Sequence, residues 1–222
     1  TAEHIQFLFA TVARPLTDSP EITLEAVSSI GQIPAGDWDA CANSDGTYNP
    51  FVTHAFFAAL ETSGSAVART GWAARHLIAR IAGQVVGVVP CYLKNHSQGE
   101  YVFDHGWADA YARAGGSYYP KLQASVPFTP ATGPRLLVRQ GDETEHVREH
   151  LAAGLIALCG ATQASSVHVT FAHKDEWTFL AKQGFLQRTD QQFHWHNDGY
   201  GTFEDFLATL ASRHRKAIRR ER

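Results

Sequence analysis

The chain has 222 residues, 44% of them hydrophobic and 18% charged, with a net charge of −3, which suits one substantial core and is tight for two complete domains. No apolar run approaches the roughly 18 residues of a membrane span. The stretch 5–12 lacks the flanks of a secretory signal, and Cys41, Cys91 and Cys159 are too few and too far apart for a disulfide framework or a zinc ribbon. The expectation is a soluble cytoplasmic protein with reduced thiols.

Residues 1–20, with Pro15, Asp18, Ser19 and Pro20, read as an arm that ends in a turn. Ile22, Leu24 and Ala26 alternate with Thr23 and Glu25, the period of a strand over 22–30, and Gly31 to Gly36 breaks it. Asn49 ahead of Pro50 is a helix-start signal. The helix it predicts runs to Thr62, with Val52, Phe56 and Leu60 on one face and Ser63-Gly64 as its stop. Two apolar runs, 76–80 and 85–93, are joined by Ala82-Gly83-Gln84 as in a hairpin, and Pro90 kinks the second strand or places it at an edge.

Residues 94–116 are crowded with His96, Glu100, Tyr101, Asp104, His105, Trp107, Asp109 and Tyr111, and 107–114 is helix-compatible. Residues 118–137 read as a strand running into a stiff loop, where Pro127, Pro130 and Pro134 fix the backbone and Thr129, Thr132 and Gly133 add hydroxyls and a turn. Asp142 to Glu145 resembles a capping box, and Val147, Leu151, Leu155 and Leu158 stripe a helix ending at Gly160. A strand over 165–171, a short helix over 176–183 and a final strand over 186–196 follow. Alternating elements of this kind mean an α/β layer with a mixed sheet. Residues 212–222 carry six Lys or Arg against Glu221, a local charge of +5 that leaves −8 on the remainder.

Three runs, GEYVFDHGWADAYARAGGSYYPKLQASVPFTPATGPRLL from Gly99, QFHWHNDGYGTFEDFLATLASRHRKAIRRER from Gln192 and YNPFVTHAFFAALETSG from Tyr48, closely resemble the FemAB-like family of peptidoglycan biosynthesis or recognition. That family is also described as N-acyltransferases of the GNAT superfamily. The resemblance implies a GNAT-like acyl-CoA N-acyltransferase fold, with a central mixed sheet flanked by helices. It also implies tandem lobes, so that residues 1–201 would be one lobe with its arm. Residues 202–222 would then be a basic helix opening a second GNAT-like lobe, and the chain a fragment of the pair.

In the resembled fold the donor's pyrophosphate rests on backbone amides at a helix start. Thr129, Thr132, Gly133 and Arg135 occupy that position here, although the usual Q/R-x-x-G-x-G/A run is missing and Pro130 and Pro134 lack N–H groups. The implied acyl donor is acyl-CoA or aminoacyl-tRNA. The charged backbone of a tRNA suits Arg213, Arg215, Lys216, Arg219 and Arg220. Amide formation needs a base for the amine and a proton for the leaving group, for which Asp104, His105 and Tyr118 are the catalytic candidates. Glu61, His96, Glu100, Trp107, Tyr111, Tyr119 and Lys121 are the candidates for holding a small or peptide acceptor. Each has a plain structural reading as a hydrogen-bonding group, a helix-surface carboxylate or a strand lysine. His194 and His196 share a strand face, but no third metal ligand is at helpful spacing. Two other readings stay open: a non-catalytic module that recognises a peptide or cell-wall precursor with its aromatics, and nucleic-acid binding through the terminal helix.

Overall fold

One long bent hairpin sets the frame. In the computed structural model, which describes residues 20–44 and 46–221, β2 (Ala73–Ala74) and β3 (His76–Ile81) form one arm, and β4 (Gln84–Val89) and β5 (Cys91–Lys94) form the other. The turn between them places Ala82 and Gly83 at φ 47° and 82°, the left-handed pair that matches the twist of a tight hairpin. Pro90 interrupts the second arm as expected, and there the sheet divides in two.

The first sheet orders as β1 (Ile22–Val27), β3, β4 and β7 (Leu137–Val138), all antiparallel. The second orders as β2, β5, β6 (Lys121–Ala124) and β8 (Val167–Val169), and its β6–β8 pair is parallel, which makes it mixed. The fold is α/β, with helices on both faces of the first sheet. Alternate residues feed two cores, with the alternation along β4 reset by the bulge opposite Ala79 and Arg80. Ile78, Val85 and Val88 pack with Trp38, Val52 and Phe57 from α1 (Ala35–Ala42), the 3-10 turn Pro50–Val52 and α2 (His54–Thr62). Leu77, Ala79 and Val89 pack with Val147, Leu151 and Leu155 of α4 (Thr144–Ala161). Among the described residues of this unit the remaining α-helices are α3 (His105–Arg113) and α5 (Lys174–Lys182).

Differences from the sequence reading have local causes. Asn49 caps only the 3-10 turn, and the hydroxyl of Thr53 accepts from the Phe56 amide to start α2. Helix α1, hidden behind Gly36, was not expected. The arm read over residues 1–20 lies, Pro20 apart, outside the described residues.

A second compact unit spans Gln187–Arg222. It holds α6 (Phe203–Thr209), capped reciprocally by Thr202 and Asp205, and α7 (Ser212–Glu221). The strand expected over 186–196 does not form. Its alternation is present, but no ladder pairs it, and Phe193 and Trp195 are 87% and 65% exposed rather than turned to a core.

Two glycines of α4 separate packing from propensity. A methyl on Gly154 would stand 2.8 Å from both Leu24 Cδ1 and Leu77 Cδ2, whereas one on Gly160 would meet nothing within 4 Å. Gly160→Ala is expected to raise stability by up to about 1 kcal/mol. Gly154→Ala is expected to lower it by about 1–2 kcal/mol, because overpacking outweighs the helix gain. Urea denaturation of the two variants checks both signs.

Candidate functional site

Register creates an unusual demand in the second sheet. Lys94 is the cross-strand partner of Lys121, and both side chains are fully buried. Like charges directly opposed on a sheet destabilise it, and a dry interior makes this worse. Two carboxylates from residues 95–104 answer the demand. Lys121 Nζ donates to Glu100 Oε2 at 2.7 Å, to Ser97 Oγ at 2.9 Å and, by a very short contact, to Asp104 Oδ2. Asp104 Oδ2 also accepts from the Tyr118 hydroxyl at 2.8 Å, and Ser97 Oγ bonds the Tyr119 hydroxyl at 2.7 Å.

Lys94 is held less fully. Its Nζ donates to the Gln98 carbonyl at 3.2 Å, stands 3.9 Å from Glu100 Oε1 and lies 3.4 Å from the centre of the Trp72 ring. Burial pushes its amine down to about 7; Glu100 opposes this and Lys121 adds to it. Burial likewise pushes Glu100 up, against the pull of Lys121. Asp104 goes the other way: burial would raise it, but the bonds from Lys121 and Tyr118 prevail and hold it down at about 2. Tyr118 is raised above the ordinary phenol range by burial and by donating to Asp104. The group thus contains a fixed ion pair, Lys121 with Asp104, beside a pair, Lys94 with Glu100, whose proton affinities have moved toward each other. Displaced proton affinities of this kind are common where a site handles protons.

The structure therefore brings together Glu100, Asp104, Tyr118, Tyr119 and Lys121 of the predicted residues. It adds Lys94 and Ser97, which sequence reasoning missed. The available signal was that Tyr92 and Lys94 share a strand face. His105 opens α3 and is exposed, as is Trp107, while Tyr111 lies 6.2 Å, ring to ring, from Tyr118. Glu61 is elsewhere. It accepts from Ser29 Oγ at 2.7 Å and the Ile30 amide at 2.9 Å, and stands 3.2 Å from His76 Nε2. The Cys91 amide donates to His76 Nδ1, so the proton is on Nε2 and points at Glu61.

The loop over 125–136 is an excursion between β6 and β7, which pair successively along β5 and β4. Most of its polar groups are spent within the loop and on the neighbouring segment 170–176. Thr129 Oγ1 donates to the Pro127 carbonyl and the Gly133 amide to the Phe171 carbonyl. The Arg135 guanidinium, fully buried, donates to the carbonyls of Ala131, Pro134 and Thr170, and burial lowers it to about 10. The amides of Arg135 and Leu136 donate to Glu176. Pro130 and Pro134 lack N–H groups, and β7 stands between this loop and the start of α4, so the loop is not at the helix N-terminus expected for it and does not fit the pyrophosphate of an acyl-CoA. Thr132 is its exposed hydroxyl.

On the other side of Trp72 a cleft of about 620 Å³ opens, lined by Arg69, His96, Gln98 and Phe128 among others. In the second unit, Arg213, Lys216, Arg219 and Arg220 of α7 are exposed; Arg215 donates to the Leu210 carbonyl and Arg219 pairs with Glu204. Among the described residues no cluster of three or more His, Cys, Asp or Glu could hold a metal ion, and no helix is long and apolar enough to cross a membrane.

Comparison with known families finds that the model of the FemAB-like family, described as peptidoglycan biosynthesis/recognition, matches residues 29–222. No curated protein matches. Among solved structures, the chain is similar to glucosamine-6-phosphate N-acetyltransferase from Arabidopsis thaliana, at 10% identity and a TM-score of 0.44, over 80% of this chain and 99% of that one.

The buried lysine has a signed pH signature. Above about 7 the folded chain leaves Lys94 neutral, whereas the unfolded chain keeps the proton up to 10.5, so stability contributed by this group rises as pH rises through that window. Relative to Lys94→Met, the wild-type protein is expected to gain up to about 1.4 kcal/mol per pH unit between pH 7 and 9. Urea midpoints at three pH values measure it, and parallel profiles would show that Lys94 stays charged.

Proposed function

Because the chain belongs to the FemAB-like family of peptidoglycan biosynthesis and recognition, we propose that it is an N-acyltransferase, carrying an acyl or aminoacyl group to an amine of a cell-wall peptide precursor. The observation that carries this reading is the buried Lys94–Glu100–Lys121–Asp104 group with Tyr118 bonded to it. Such a transfer forms one C–N bond, breaks one C–O or C–S bond, and moves a proton from the amine to the leaving group. Enzymes supply that movement with groups whose proton affinities have been displaced by burial and neighbours.

In this reading Tyr118 is the proton donor to the leaving oxygen. A phenol raised above its ordinary range stays protonated until a stronger base appears. Asp104, held ionised by Lys121, orients Tyr118 rather than acting as the base. Glu100, pushed upward by burial against the pull of Lys121 and Lys94, is the proton acceptor in this reading. His105 at the start of α3, with Trp107 and Tyr111, faces solvent where an acceptor peptide can lie. Since the 125–136 loop does not fit a pyrophosphate, the donor favoured is an aminoacyl ester of tRNA. Its phosphates would meet Arg213, Arg215, Lys216, Arg219 and Arg220, and Thr129 and Thr132 would be left as the hydroxyls of the loop. A second GNAT-like lobe is part of this proposal.

Recognition without transfer is the second reading. It is favoured by the exposed aromatics Tyr101, Phe103 and Trp107 beside the buried group.

The test is turnover of an amine-bearing peptide with acyl-CoA and with aminoacyl-tRNA. Tyr118→Phe is expected to lower kcat about 10- to 100-fold with KM little changed. Unchanged turnover in this variant would remove Tyr118 from the chemistry. Peptide binding with no product from either donor would favour recognition.

A further inference from the structure

Three left-handed glycines surround the cleft beside Trp72, and each leaves room for one of its lining side chains. At Gly64 (φ +74°) an added methyl would stand 2.3 Å from the Arg69 guanidinium. At Gly71 (φ +77°) it would stand 2.2 Å from the His96 ring, and at Gly99 (φ +79°) 2.5 Å from the Phe128 ring. The walls are thus laid on bare backbone, which holds the side chains in place before anything binds. Phe128 is itself left-handed, with φ 58°, an uncommon and costly state for a bulky residue. Its amide donates to the Gly99 carbonyl, and the ring is 41% exposed. The ring rests on Trp72, 5.5 Å between centroids, and keeps its remaining part open to solvent.

The chemistry of the lining is one-sided. Ser65, Arg69, Thr70, Gln98 and His96 contribute hydroxyl, guanidinium, amide and imidazole groups, and among the described residues no carboxylate lines the cleft. The Arg69 guanidinium is exposed, makes one long bond to the Gly64 carbonyl at 3.4 Å, and has no carboxylate within 4.0 Å among the described residues. The floor is Trp72, whose buried indole N–H meets no acceptor. A cation without a carboxylate beside it and an exposed ring share one opening.

We propose that this cleft is a binding site for a small oxyanion carried on a flat ring, with Arg69 holding the phosphate or carboxylate and Phe128 stacking on the ring. The site lies outside the Lys121 group and stands whichever group the protein transfers. Arg69 supplies two parallel N–H donors to the oxyanion. Phe128 gives the ring an offset or edge-on partner.

The probes are phenyl phosphate, phenylacetate, inorganic phosphate and benzyl alcohol, titrated into the full chain by calorimetry and followed by amide chemical shifts. Phenyl phosphate or phenylacetate is expected to bind about tenfold more tightly than either inorganic phosphate or benzyl alcohol. The tighter of the two identifies the oxyanion. Arg69→Gln is expected to weaken the ring-bearing oxyanions about tenfold and to leave benzyl alcohol unaffected. Phe128→Gly, which removes the ring and relieves the left-handed strain, is expected to reduce them to the level of inorganic phosphate. Melting temperature confirms that both variants are folded. Equal affinity in wild type and Arg69→Gln, benzyl alcohol binding as tightly as phenyl phosphate, or no binding by any probe would overturn the proposal.

Discussion

Two lysines facing each other across a strand pair are the constraint on which the rest of this site depends. The Lys94–Lys121 pairing is fixed by the register of β5 and β6, which is fixed in turn by the apolar partners Cys91–Ala124 and Leu93–Leu122. Shifting the register by one residue would turn every side chain to the other face, so the chain cannot relieve the repulsion by sliding. It relieves it chemically. Glu100 and Asp104 enter the interior, Trp72 covers one amine with its ring, and Lys94 gives up its proton near neutral pH. Stability is thereby given to local charge control, the usual condition of a site that handles protons.

The division of the sheet at Pro90 gives that group its surroundings. Beyond the break, β4 continues with β7 and β5 with β6, and the loop over 125–136 leaves the edge between them. Arg135 closes the loop from within, as a side chain does when main-chain carbonyls have lost their ladder partners. The same loop sends Phe128 outward to the cleft, so one segment is rigid on its inner side and presents a ring on its outer side.

The frame was legible in the sequence because it rests on period and punctuation. The alternation of β1, the Ala82-Gly83 turn, the Pro90 break and the stripe of α4 each follow from local chemistry. The residues after 186 misled, because alternation marks what a strand needs but cannot supply the neighbour that pairs with it. Within the site, the crowded stretch 96–111 and Lys121 were readable from density of unusual residues alone. Lys94 was not, since burial of a lysine depends on which strand lies opposite. Arg135 could be placed but not interpreted. A guanidinium looks the same in sequence whether it awaits a phosphate or ties down three carbonyls, and only the count of backbone groups left over by Pro130 and Pro134 tells the two apart.

The loop between β6 and β7 departs from and returns to the same edge of one continuous bent arm. Strand order and register are fixed by what lies on either side of it, and only its ends, through Val126 and Leu136, reach the two cores. Chain length between Phe128 and Ala131 is therefore decoupled from the architecture. Residues can be inserted or removed there at the cost of a small change in loop-closure entropy, which makes this rim the place where the fold can be extended toward a new ligand while the buried charges behind it stay where they are.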